Sequence, residues 1–140
     1  MDYQVSMDHK AKTEEVRVIQ EGVIGFNKPF IGNKFPFHIF LKDKDDQIKG
    51  GVSGHVWPEI KLLYIDYVYV SEPLRLNGYG TKLMLYAETE AKRQGCASIL
   101  LDTFSFQAEE FYSKLGFSRI GFIDKHFGDF DHIYMRKDLE

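Results

Sequence analysis

The residues with the clearest chemical pattern form a short turn between an apolar segment and an amphipathic one. The turn runs from Arg75 to Gly80 and reads R-L-N-G-Y-G. Gly78 and Gly80 have no Cβ, so the backbone can turn tightly there and expose its N–H groups. At the start of a helix these N–H groups and the helix dipole favour an anion, and an arginine suits phosphate. The turn therefore predicts a binding site for a pyrophosphate group.

Two common phosphate-binding motifs do not fit this turn. A dinucleotide fingerprint needs a third glycine where this chain has Leu83. A Walker loop needs Gly-Lys-Ser/Thr, whereas Thr81 here precedes Lys82. The pattern that remains is R-x-x-G-x-G, and on its own it also fits an ordinary strand–turn–helix connection.

A second motif follows downstream, from Ala108 to Phe117, and reads A-x-x-F-Y-x-K-x-G-F. With both motifs present in this order, the chain resembles the GCN5-related N-acetyltransferases (GNAT superfamily), in the manner of a small bacterial member. The resemblance implies acetyl-CoA as co-substrate, no metal, and direct transfer of the acetyl group to a primary amine in a ternary complex. The acceptor would be a small molecule or a peptide.

The resemblance also implies a fold. We expect an α+β (mixed αβα) architecture with a central, mostly antiparallel sheet of six to seven strands. One parallel pair should be splayed at the cofactor site, and about four helices should flank the sheet. Residues 1–140 would form a single N-acetyltransferase domain, since 140 residues are enough for one domain and hardly for two.

The expected cofactor contacts lie in the apolar strand and the turn that follows it. The resemblance assigns them to Val68, Tyr69, Val70, Arg75, Leu76, Asn77, Gly78, Tyr79, Gly80 and Thr81. The backbone of Val68 to Val70 is expected to pair with the pantetheine arm, and one N–H would polarise the thioester carbonyl. Many members carry an asparagine where this chain has Ser105, so Ser105 or Gln107 is expected to take over that contact.

Two side chains are candidates for proton transfer. Tyr112 is expected to protonate the leaving thiolate, since a phenol is protonated at neutral pH and the resemblance places it beside the sulfur. Asp66 interrupts the apolar run Leu62 to Val70, where burial would raise its pKa towards that of a useful base. Strand alternation would put Asp66 on one face with Tyr64, Val68 and Val70. Glu72 or a water relay could replace Asp66 as the base.

The acceptor pocket is defined least well by the sequence. Aromatic faces can hold a cation and carboxylates attract one. The candidate residues are Phe30, Trp57, Phe104 and Asp129, within a wider set of aromatic residues and the acidic segment 124–131, which is read as a loop.

Composition narrows the class of protein. The net charge of −3 gives no basic surface for nucleic acid, and the single Cys96 rules out an intrachain disulfide and a multi-cysteine metal site. No apolar run is long enough to cross a membrane, and the N-terminus does not read as a signal peptide, so a cytoplasmic protein is expected. A homodimer is possible, as in other family members.

Hydrophobic periodicity predicts the elements around these motifs. We expect a first strand at Tyr3 to Ser6, a helix from Thr13 to about Asn27 that ends before Pro29, and a loop from Ile31 to Pro36. The remaining predicted elements are strands at 37–41, 48–56, 62–70, 98–101, 117–123 and 132–136, and helices at 81–94 and 107–115. The run 62–70 reads as a central strand buried on both faces.

Two other functional classes share these features. A non-catalytic module that binds acyl-CoA as a sensor would use the same turn. An ordinary α+β interaction domain would explain the glycines without any ligand. Binding of coenzyme A distinguishes the last from the others, and turnover with an amine distinguishes the enzyme from the sensor.

Overall fold

The computed structural model describes residues 2–140, and Met1 lies outside them. The chain forms α1 (Thr13–Ile31), β1 (Phe35–Lys42), β2 (Ile48–Trp57), β3 (Leu62–Val70), a 3-10 turn (Glu72–Leu74), α2 (Tyr79–Arg93), β4 (Ser98–Phe104), α3 (Glu109–Lys114), β5 (Ser118–Phe127) and β6 (Phe130–Asp138). This matches the predicted α+β class.

One six-stranded sheet carries the fold, in the order β1-β2-β3-β4-β6-β5. Neighbouring strands are antiparallel except β3 and β4, which are parallel because α2 crosses between them. The core lies between one face of the sheet and α2 with α3. It is centred on fully buried side chains of the middle strands: Val52, Val56, Leu63, Ile65, Ile99, Leu101, Ile133 and Met135. We call this the covered face, and the other the open face.

The parallel pair separates part-way along its length. Leu62 to Ile65 pair with Ser98 to Leu101, and no pairing continues beyond Ile65 and Leu101. The predicted splay is therefore confirmed. It opens a gap in the middle of the sheet, between the second half of β3 and the end of β4.

A bulge at Asp66 begins the separation. Ile65 pairs with Gly54 and Tyr67 with Ser53, so Asp66 has no partner in β2. An inserted residue reverses the alternation of side chains along the strand. Before the bulge Ile65 faces the core, and after it Val68 and Val70 do. The predicted common face of Tyr64, Asp66, Val68 and Val70 is therefore wrong. A regular period of two cannot reveal a bulge.

Gly54 lies opposite this bulge. A Cβ on Gly54 would come within 2.1 Å of the Tyr64 carbonyl oxygen, so only glycine allows the two backbones to approach this closely.

Several element predictions differ from the structure. The segment Tyr3 to Ser6 is not a strand, and α1 continues through Pro29 to Ile31, although an interior proline removes a backbone donor and disfavours a helix. The loop predicted from Ile31 to Pro36 shortens to three residues. The acidic segment 124–131 is mostly part of the β5–β6 hairpin and not a loop. The second half of β3 is partly exposed, so the prediction of a strand buried on both faces is wrong there. Three α-helices rather than about four are seen in residues 2–140.

Candidate active site

A cavity of about 870 Å³ fills the gap between β3 and β4. Its walls are the second half of β3, the end of β4, the turn before α2 and the face of α3. The predicted residues that line it are Asp66, Val68, Tyr69, Val70, Arg75, Leu76, Gly80, Phe104, Gln107 and Tyr112. The strand separation thus gathers residues that lie nearly fifty positions apart in the sequence.

A second hollow of about 380 Å³ adjoins the first at the start of α2. Gly78, Tyr79 and Thr81 line it, and it shares Gly80 and Arg75 with the larger cavity. Together the two hollows form one groove that leads from the N-terminus of α2 to the gap in the sheet.

The N-terminus of α2 suits an anion. Gly78 adopts φ +83°, and the first helical hydrogen bond runs from the Lys82 N–H to the Gly78 carbonyl at 3.0 Å. No side chain caps the helix, so the N–H groups of Tyr79, Gly80 and Thr81 come before the first intrahelical acceptor. These are the groups that a pyrophosphate would need, and they border the smaller hollow.

Side chains hold the turn in place. Asn77 donates through Nδ2 to the carbonyls of Leu74 at 3.2 Å and Arg75 at 2.9 Å. Arg75 donates through Nε to the Val70 carbonyl at 2.8 Å, and its guanidinium lies over the Tyr69 ring. Asn77 thus shapes the loop from within, and Arg75 joins the loop to the end of β3.

Tyr112 lies on the covered side of the gap. It is nine-tenths buried, and its ring makes edge contacts with Phe111 and Phe117 at centroid distances of 5.1 and 5.9 Å. Burial, with a smaller effect of the nearby Asp102 charge, raises the pKa of Tyr112 to about 12. The phenol is therefore neutral and able to donate a proton across the physiological range.

Asp66 is less buried than predicted. The bulge turns the residue out of the strand, and its side chain is 34% exposed. Asp66 Oδ2 lies 3.0 Å from His55 Nδ1 on β2. The predicted burial of this carboxylate is therefore wrong, although it does line the cavity as a base should.

A second carboxylate at the gap was missed by sequence reasoning. Asp102 on β4 accepts a 2.9 Å hydrogen bond from the Tyr64 hydroxyl, and its other oxygen lies 2.6 Å from His132 Nε2. Burial and this hydrogen bond raise the pKa of Tyr64 above its usual value. Tyr64 and Asp102 lie on the open side, since their strand neighbours face the core. The signal was present, because Asp102 interrupts an apolar strand just as Asp66 does.

The two candidates for the missing asparagine contact have different surroundings. Gln107 lines the cavity, and its Oε1 accepts hydrogen bonds from the Thr103 hydroxyl at 3.1 Å and the Phe104 N–H at 3.2 Å. Ser105 is bonded in both directions to the backbone of Asp131 on β6. Gln107 therefore borders the gap, whereas Ser105 joins β4 to the hairpin.

The predicted acceptor residues do not all come together. Phe104 lines the cavity and stacks on Phe106 at 5.4 Å. Trp57 lies at the far end of β2, where Lys34 is over its ring, and Asp129 lies in the β5–β6 turn. Phe30 lies at the exposed end of α1. Of the four, only Phe104 borders the gap within the described chain.

The comparisons with known proteins agree with this geometry. Residues 8–117 match the model of the Acetyltransferase (GNAT) family. The chain belongs to the GNAT acetyltransferase family. This establishes an N-acetyltransferase that depends on acetyl-CoA, and the sensor and interaction-domain alternatives are not retained.

Individual relatives support the assignment. The protein named Acetyltransferase Atu2258, from Agrobacterium fabrum, is 30% identical over 116 residues, covering 79% of this chain and 81% of its own. A crystal structure of an acetyltransferase from Bacillus cereus superposes with a TM-score of 0.80 at 32% identity, covering 96% of this chain and 98% of that one. A Bacillus anthracis acetyltransferase, crystallised with acetyl coenzyme A, shares the fold at 24% identity, with a TM-score of 0.65 and coverage of 81% and 68%.

Two further observations concern other classes of site. Within residues 2–140, no cluster of three or more His, Cys, Asp or Glu side chains is arranged to hold a metal ion. In the same part of the chain, every helix is too short or too polar to span a membrane.

Proposed function

We propose that the enzyme transfers the acetyl group of acetyl-CoA directly to a primary amine, with both substrates bound at once. The observation that carries this proposal is the cavity in the gap between β3 and β4, because it brings candidate side chains from both faces of the sheet together. Tyr112 borders it from the covered side, and Asp66, Tyr64 and Asp102 border it from the open side.

From the same arrangement we infer a position for each substrate. The N–H groups at the start of α2 would hold the pyrophosphate, and the exposed backbone of Val68 to Val70 would pair with the pantetheine arm. The thioester would then lie in the gap, beside Tyr112. An amine would approach from the open face, past Phe104 and the two carboxylates, which favour a cationic acceptor.

The chemistry requires two proton transfers. Asp66, directly or through a water, would remove the proton that the attacking amine must lose. A carbon–nitrogen bond then forms as the carbon–sulfur bond breaks, and Tyr112 would give its proton to the departing thiolate. Cys96 is buried at the end of α2 and borders neither hollow, which supports direct transfer over an acyl-cysteine intermediate.

Initial-rate kinetics test the order of events. A panel of polyamines, aminoglycosides, amino acids and peptides is screened by following the release of free thiol from acetyl-CoA. With the best acceptor, both substrates are then varied. A ternary complex gives intersecting double-reciprocal lines, whereas parallel lines would show an acyl-enzyme route and contradict the proposal.

A further inference from the structure

Within the described residues 2–140, the N-terminal segment forms an arm that buries almost none of its side chains against the rest of the chain. We define the arm as residues 2–31, and every residue from 2 to 26 is exposed. No residue of α1 is buried. Most of the stability of a helix in a protein comes from packing of its apolar face, and Gly22, Gly25 and Pro29 weaken this helix further. The arm therefore gains little stability from contacts with its own chain.

The sequence of the arm is nevertheless that of a packed element. Apolar side chains recur at the three- and four-residue spacing of one helix face, at Val16, Ile19, Val23, Phe26 and Phe30. Three more apolar residues precede the helix at alternate positions: Tyr3, Val5 and Met7. In the structure all eight are exposed. Surface of this kind and extent marks an interaction site.

The open face of the sheet also exposes apolar surface. The open face of the sheet carries aromatic side chains that no helix covers, among them Phe40, Tyr67 and Tyr69, which are 54%, 75% and 57% exposed. In addition, β1 is an edge strand, so its outer backbone groups have no strand partner. Large aromatic side chains left exposed together on one face of a sheet mark an interaction surface.

The connection between arm and sheet is short, and no residue of α1 is buried on the sheet of its own chain. Only three residues, 32–34, join α1 to β1. Gly32 is buried with φ +74°, and a Cβ there would overlap the Glu59 carboxylate at 2.4 Å. A short, tightly placed hinge of this kind favours exchange of the segment beyond it.

We infer that two copies of this chain exchange their arms. The helix stripe of each copy would cover the open face of the other, and the alternating segment 3–7 would lie along the edge strand of the other. Such an exchange is reciprocal and closes as a two-fold dimer. The eight apolar residues of both arms, with the surfaces that receive them, would bury on the order of 2,000 Å² or more, in the range of obligate homodimers.

The exchange has a consequence for the active site, and this consequence rests on the proposed function. The open face is the side from which the amine would approach Tyr64 and Asp102. The helix of the second copy would therefore border the acceptor site, and residues of the arm such as Phe30 would reach it only from the second copy.

Sedimentation and light scattering test the exchange in the intact protein without reference to activity. The wild type is expected at about twice the 16.3 kDa of one chain at micromolar concentration. Ile19→Glu is expected to halve that mass, because it places a charge within the stripe. Gln20→Glu adds the same charge about 100° further around the helix and should leave the dimer intact.

Cross-linking distinguishes an exchanged arm from a dimer formed by other surfaces. Dimers reassembled from light and nitrogen-15 chains are treated with an amine-reactive reagent. Links from Lys12 of the arm to Lys42 on the edge strand should carry mixed isotopes. A monomeric wild type, equal behaviour of the two variants, or arm-to-sheet links of one isotope only would each overturn the inference. Activity in the thiol-release assay bears only on the proposed function.

Discussion

The Tyr64 hydroxyl donates a 2.9 Å hydrogen bond to Asp102 across the parallel strand pair, where β3 and β4 begin to separate. The two residues are 38 positions apart in the chain. This bond closes the inner end of the gap on the open side, while Tyr112 borders the gap from the covered side. Side chains from both faces of the sheet therefore line one cavity in the gap.

Removal of the Tyr112 hydroxyl should slow the reaction with little effect on cofactor binding. Tyr112→Phe is expected to lower kcat by about 10²- to 10⁴-fold, the range for loss of a positioned acid. The ring packing against Phe111 and Phe117 is retained, so the Kd for coenzyme A measured by calorimetry should change less than threefold, roughly the scatter of such comparisons. Tyr86→Phe removes a hydroxyl from an exposed tyrosine of α2 and should behave as wild type.

The two carboxylates on the open side should have different roles: Asp66 as the base, and Asp102 as a group that binds the amine. Asp66→Asn is expected to lower kcat with little change in KM, because an amide cannot take the proton of the amine. Asp102→Asn should mainly raise KM for a cationic amine, by about tenfold or ~1.4 kcal/mol. If Asp102→Asn instead lowers kcat and Asp66→Asn mainly raises KM, the base has been assigned to the wrong carboxylate.

Two glycines with the same conformation give a matched pair for the anion site. Gly78 has φ +83° and Gly95 has φ +84°, and a Cβ at either would meet nothing within 4 Å. Each change to alanine should therefore cost about 1 kcal/mol of unfolding free energy from backbone strain alone. Only Gly78→Ala should also weaken coenzyme A binding, measured by calorimetry, because Gly95 lies at the other end of α2. Equal Kd values for the two variants would argue against a pyrophosphate at this turn.

The single cysteine should be dispensable. Cys96 is buried, and burial raises the pKa of its thiol, so the reactive thiolate is disfavoured. Cys96→Ala is expected to retain wild-type kcat, and alkylation of the native protein should be slow until it unfolds. Loss of turnover in a variant that still binds coenzyme A would point to a covalent route.

Alkaline pH should destabilise the protein in part through Tyr112. Its pKa is about 12 in the folded chain, against 10.0 for an ordinary phenol, because burial disfavours the phenolate. The stability that depends on this neutral phenol is fully present below pH ~10 and is lost as the pH rises towards ~12. Tyr112→Phe should therefore flatten, without abolishing, the fall in Tm between those values, since the pKa of Tyr64 is raised as well. An unchanged slope would contradict this account.

The sequence by itself determined what local chemistry can determine. The turn glycines and Arg75 predicted an anion site at the start of α2, and the A-x-x-F-Y-x-K-x-G-F motif predicted the family and its fold. Both depend on residues close together in the chain, where spacing and backbone preference leave few alternatives. The prediction of strands was wrong where the local pattern is ambiguous. The aromatic and acidic residues of segment 124–131 predicted a loop, but the segment forms most of a hairpin.

Only the tertiary structure decided how the distant residues meet. A one-residue bulge at Asp66 reverses the faces of β3, and no hydrophobic period records an extra residue that pairs with nothing. The hydrogen bond between Tyr64 and Asp102 depends on the register of the parallel strands β3 and β4. That register depends on how α2, which connects the two strands in the chain, packs on the sheet. The exposure of α1, whose apolar stripe predicts a packed helix, is also visible only in the structure. In each case the deciding contact joins parts of the chain that sequence spacing does not relate.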